Sequence, residues 1–127
     1  MPLLFVIGRI LLGGYFLLAG YNHFKNLEGN AGYAKFKGVV MPKLAVGFTG
    51  LLLLVGGASI ITGFATNVGL AALILFLIPV TFQMHPFWKE TDPMKKMGEK
   101  INFEKNLALL GAILMLLALG VPWMNSF

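Results

Sequence analysis

The sequence predicts an all-α membrane protein: a transmembrane four-helix bundle whose two long loops carry short interfacial helices. Three observations predict it. Of 127 residues, 57% are hydrophobic and only 12% charged, whereas soluble domains run at roughly 45–50% apolar and about 25% charged. Mean hydropathy is +0.81, and a soluble domain this small needs more polar residues to cover its surface. Four apolar runs, 2–21, 44–64, 68–84 and 107–123, approach or reach the roughly 20 residues that cross a bilayer as helix. Backbone in lipid must satisfy its own hydrogen bonds, so these runs are helices. They leave length for a single domain, 1–127.

The first run starts at Pro2 with no basic segment before it, and Arg9 interrupts its apolar core. It therefore reads as a retained helix, not a cleaved signal. Arg9 lies about 10 Å along that helix. A charge at that depth is expensive, and no Asp or Glu lies in any of the four runs. Ser59 and Thr62 reach a similar depth, and the carboxylate of Phe127 lies on the same side. Two readings stay open. Arg9 snorkels and is capped by hydroxyls, carbonyls and headgroups, or it faces the bundle interior and holds an anion or polar headgroup. Arg9, Gly13, Phe16, Gly20 and His23 follow steps of 4, 3, 4 and 3, which makes one helix face. Small residues on such a face mark close helix packing. Gly63, four residues after Ser59, and Gly111 are further packing candidates.

The first loop, 22–43, holds Lys25, Lys35, Lys37 and Lys43. Tyr33, Phe36 and Val40 recur there at helical spacing. This suits a short helix in the headgroup region or a lid over a pocket on that side. The second connection, near Ala65–Asn67, is a tight uncharged turn. The third loop, 85–106, holds Lys89, Lys95, Lys96, Lys100 and Lys105. After the Asp92-Pro93 break, Met94, Met97 and Ile101 again recur at helical spacing. Nine of the ten basic residues thus fall on one face of a four-span protein. The positive-inside rule places both loops in the cytoplasm and both termini outside. Lysines set between apolar runs do not make a nucleic-acid surface.

His23 ends the first span and His85 the third, and both emerge on the lysine-rich side. Asn22, Thr81, Gln83 and Asn106 lie near the same level. Two imidazoles can bind a metal or haem, hydrogen-bond a quinone carbonyl or relay protons. Without a Glu-x-x-His pattern they also read as plain interface residues, and no metal site is predicted. Pro79 breaks a backbone hydrogen bond in the third span and helps shape a cavity or a packing kink. Trp88 and Trp123 read as interfacial belt residues. There is no cysteine, which excludes disulfides, thiolate metal sites and thiol nucleophiles. No carboxylate pair or phosphate loop points to autonomous hydrolysis.

Taken in order, these residues resemble the DoxX family of small four-helix membrane proteins. The stretch from Arg9 through Gly13 and Phe16 to Gly20 is similar to the family's opening Arg-x-x-x-Gly-x-x-Phe-x-x-x-Gly. Tyr33-Ala34, Lys37-Gly38-Val39 and Pro42 look like its first loop. His85-x-Phe87-Trp88 and Lys105-Asn106-Leu107-Ala108-Leu109-Leu110-Gly111 are similar too. Many members carry a Glu early in the second span, where this chain has Gly47-Phe48-Thr49-Gly50. The resemblance implies a subunit or accessory of a quinone-linked redox system in a prokaryotic inner membrane. Quinone comes ahead of haem as the implied cofactor. The implied partners are the bilayer, a redox-complex protein and a second copy of the chain. Two alternatives stand beside it: a non-catalytic membrane scaffold or chaperone, and a small-solute or ion carrier.

Overall fold

The computed structural model describes residues 2–123. Among them the chain forms α1 (Pro2–Lys25), α2 (Leu27–Phe36), α3 (Pro42–Thr62), α4 (Thr66–Met84), a single 3₁₀ turn (Phe87–Lys89) and α5 (Pro93–Leu119). Helices α1, α3, α4 and α5 are long and apolar enough to cross a membrane. Sequential spans run antiparallel, and each packs on the next in the order α1, α3, α4, α5. The short helix α2 leans on α3 at the end where the lysines collect.

Turn chemistry sets where the spans end. α3 opens with Pro42 at its first turn, where the missing N–H is no loss, and closes at Gly63 in the left-handed region (φ 74°). Gly63 N–H returns to the Ser59 carbonyl at 2.8 Å. Gly63 therefore terminates α3. α2 ends the same way: Gly38 (φ 86°) lets Val39 N–H reach back to the Ala34 carbonyl at 3.0 Å.

The last helix departs from expectation. Asp92 and Pro93 do not separate a short interfacial helix from the fourth span. They are the N-cap and first residue of one continuous 27-residue helix. At 1.5 Å per residue it is about 40 Å long, beyond the roughly 30 Å of hydrocarbon. Its first turns, with Lys95, Lys96 and Lys100, therefore stand clear of the apolar layer. Glu99, Asn106 and Ile113 are its buried residues, one heptad apart on a single face.

Phe16, Leu53, Ile60, Leu70, Leu73, Leu77 and Ile113 form the core, each at most 1% exposed. Leu11, Leu51, Leu75 and Met115 point outward, as lipid-facing positions must. The closest helix pair is α1 on α3, and glycine is the reason. A Cβ on Gly13 would sit 2.8 Å from the Gly57 carbonyl oxygen, and one on Gly57 would sit 2.7 Å from that of Gly13. Seven residues along each helix, a Cβ on Gly20 would come within 3.0 Å of the Gly50 oxygen. Gly111, by contrast, has open space where its Cβ would be, so nothing presses on it.

Substitution of Gly57 by Leu should therefore force α1 and α3 apart and cost about 1–3 kcal/mol. Gly47→Ala, on the same helix but with nothing near its Cβ, should change stability by less than about 1 kcal/mol. Thermal unfolding in detergent, followed by helical circular dichroism, compares the two. Equal melting would refute the close-approach account.

Candidate functional site

Arg9 is 3% exposed on α1. Its Nε donates to the Ile60 carbonyl and its Nη2 to the Ile61 carbonyl, both at 2.9 Å. These belong to the last turn of α3, where main-chain acceptors lack intrahelical partners and the helix dipole is negative. These carbonyls suit a cation. The rings of Phe5 and Trp123 lie 5.4 and 5.6 Å from the guanidinium carbon, a favourable cation–π setting. Trp123 is 5% exposed and packs edge-on to Phe5, so it belongs to this cluster and not to an interfacial belt. The Thr62 hydroxyl donates to the Ala58 carbonyl at 2.8 Å, and Ser59 packs where α4 passes closest, against Gly69. The Phe127 carboxylate lies outside the described residues.

The opposite end of the bundle holds a cavity of about 400 Å³ between α1, α3, α4 and α5, with α2 across it. This volume is within the range of small-molecule sites. Most of the lining is apolar, including Phe16, Leu53, Phe76 and Leu77. His23, Gln83, His85 and Asn106 line it together, along with Tyr33 and Lys105. No Asp or Glu is among the lining residues. Pro79 also faces it.

His23 Nδ1 lies 3.0 Å from the Val46 carbonyl and 3.3 Å from the Thr49 hydroxyl oxygen. The Thr49 proton is engaged by the Ala45 carbonyl at 2.8 Å. Both neighbours of Nδ1 are thus acceptors, which places the proton on Nδ1. With the ring neutral, Nε2 is left as an acceptor. Asn106 is 6% exposed and lines the cavity. The His85 Nδ1 atom is buried and has no hydrogen bond among the described residues, which is uncommon for a buried polar atom.

A second polar cluster lies beside the cavity. Glu99 of α5 receives Lys37 Nζ at 3.0 Å and the Tyr33 hydroxyl at 3.4 Å. His85 Nδ1 stands 3.6 Å from the same carboxylate. The Lys37 and Glu99 side chains are only 11% and 12% exposed, so this ion pair is shielded from water. Burial and the Glu99 charge raise the Tyr33 hydroxyl above its ordinary value. Burial opposes the charge on Lys37, but the Glu99 bond and the nearby negative groups outweigh it and raise Lys37. Both shifts hold the cluster in its bonded form across neutral pH. Among the described residues no group of three His, Asp or Glu is arranged to hold a metal.

Of the polar residues expected at this level, the structure brings His23, Gln83, His85 and Asn106 to one cavity. Asn22 does not line it; its carbonyl accepts from the Asn30 amide at 3.0 Å. Thr81 turns back onto the Leu77 carbonyl of its own helix. Sequence reasoning missed Glu99, Tyr33, Lys37 and Thr49. The signal for Glu99 was its seven-residue step from Asn106 and Ile113.

Arg9→Leu should orphan the two α3 carbonyls and destabilise the protein by about 2–4 kcal/mol. Arg9→Lys, which keeps the charge but loses the fork, should recover part of that. Unfolding midpoints in detergent distinguish the three proteins, and an unchanged Arg9→Leu midpoint would refute the capping role.

Comparison with known proteins bears on the same segments. The chain is 28% identical over 119 residues to Inner membrane protein YphA of Escherichia coli (strain K12), covering 94% of this chain and 84% of YphA. No solved structure matches it. The sequence profile of the DoxX family matches residues 4–86, from the first turn of α1 past the end of α4, taking in Arg9, His23 and His85. That match spans well over half the chain, and with four apolar spanning helices it makes this protein an integral membrane member of the DoxX family.

Proposed function

We propose that the protein binds a quinone in the cavity at the lysine-rich end of the bundle and serves as an accessory subunit of a redox system in the inner membrane. The observation that carries this reading is a mostly apolar cavity lined together by Asn106, His23 and His85, with His85 Nδ1 buried and not hydrogen-bonded among the described residues. A quinone is a flat, uncharged, lipid-dissolved ring with a carbonyl at each edge. It takes an apolar bed and donors at the rim. Asn106 supplies a donor, and His23 Nε2 supplies an acceptor suited to the hydroxyl of the reduced form. Lining free of carboxylates avoids repelling the electron-rich ring oxygens. The name of YphA supports the location, and nine lysines at one end support an orientation with that end in the cytoplasm.

Purified in mild detergent, the protein should yield a quinone on organic extraction and mass analysis. It should also bind a short-chain ubiquinone saturably, with Asn106→Leu about tenfold weaker, a loss of roughly 1.4 kcal/mol. No extractable quinone together with no saturable binding would sink the reading. For orientation, the absence of cysteine allows single-cysteine labelling in intact spheroplasts. An impermeant maleimide should label Asn67→Cys and spare Lys96→Cys; the reverse pattern would invert the topology.

A further inference from the structure

We propose that Glu99 is the residue that closes the cavity: it clamps α2 down through Lys37 and Tyr33, and ligand enters and leaves when that clamp releases. This rests on the reading of the cavity as a ligand site and adds how the site is reached.

The geometry of α2 supports it. Tyr33 and Ala34 of this helix line the cavity, and Ala34 is 4% exposed. The helix is only 10 residues long, too short to hold its fold without tertiary contacts. Non-helical residues bound it on both sides: Asn26 before it, and Gly38 to Met41 after it, with positive φ at both Gly38 and Met41. Such junctions absorb backbone rotation. Its apolar attachment is built on Ala31 and Ala34 against Val46, with Leu27, Val39 and Met84 packed around them. The exposed Lys43–Glu28 pair adds little.

What remains converges on one carboxylate. Glu99 takes a bond from Lys37 at 3.0 Å and one from Tyr33 at 3.4 Å, both from the C-terminal part of α2 and the residue just after it. Gln83 of α4 steadies the same point by donating to the Lys37 carbonyl at 2.6 Å. The ion pair is shielded, so removing one partner leaves the other as a buried charge. Loss of the Glu99 charge should therefore release α2 while the spans, which pack through other residues, stay in place. Glu99 acts here as a positioning residue.

The test needs no ligand. Ala34→Cys is placed alone in this cysteine-free chain, and maleimide labelling is timed in nanodiscs. Adding Glu99→Gln should speed labelling at least about fivefold by raising the open population. Exchanging the pair, Lys37→Glu with Glu99→Lys, should return the rate toward that of the parent. A companion Leu73→Cys, in the core of the bundle, should stay unlabelled in every background. Unchanged labelling at position 34 would overturn the proposal. So would labelling of position 73 alongside it, because Glu99 would then be holding the whole fold. Failure of quinone binding would leave these rates untouched, so the two readings fail separately.

Discussion

The rest of the structure depends on the main-chain contact between α1 and α3. Four glycines, Gly13 and Gly20 facing Gly57 and Gly50, remove the side chains that would keep the two helices apart. In lipid, apolar burial gives helices little reason to associate, so close van der Waals packing supplies the attraction. The contact also sets register. It delivers Arg9 to the last turn of α3 and His23 to the first turns of the same helix. Both ends of one interface thus use α3 main-chain oxygens as partners for polar side chains of α1, the buried Arg9 and the half-buried His23.

The two ends settle their charges differently, and the difference follows from helix geometry. At the Arg9 end, α3 stops and exposes carbonyls, so backbone dipoles that cannot move independently of the fold are among the cation's partners. At the other end Lys37 follows α2, which is held by few contacts. Its partner is a side-chain carboxylate on α5. A bond to a helix end is released only if the helix unwinds. A bond between two side chains is released by rotating one of them. On the proposed reading, the Glu99 end is the separable one.

Much of the fold was legible in the sequence because hydrophobic run length is a strong signal in a membrane protein. The four spans and the Arg9-Gly13-Phe16-Gly20 face could be read from spacing alone, and those four residues are the buried ones of α1. The site was less legible. Asp92-Pro93 reads equally well as a break between helices and as the start of one. Taking it as a break hid the heptad that joins Glu99 to Asn106 and Ile113. Glu99 sits among Lys95, Lys96 and Lys100, so locally it looks like a solvated charge. It is buried because Tyr33, Lys37 and His85 gather round it. The Ile60 and Ile61 carbonyls at Arg9 were hidden for another reason: main-chain carbonyls carry no letter in a sequence, whereas the hydroxyls of Ser59 and Thr62 do.

The position of the cavity follows from the same asymmetry. Where α1 and α3 touch through glycine, no space remains between them, and the core from Phe16 to Ile113 closes the middle of the bundle. Beyond Phe16 the facing residues become Ala19 on α1, Ala45 and Thr49 on α3, and Pro79 and Val80 on α4. These are small or lack a full hydrogen-bonding backbone, so the helices leave volume. That volume would collapse or fill with lipid chain if nothing covered it, and α2 is the element that does. A membrane bundle with no ligand to hold gains nothing from a buried amide at Asn106 or from a shielded ion pair on its cover, since apolar residues would pack both places at lower desolvation cost. On the proposed reading, both serve the space that α2 covers.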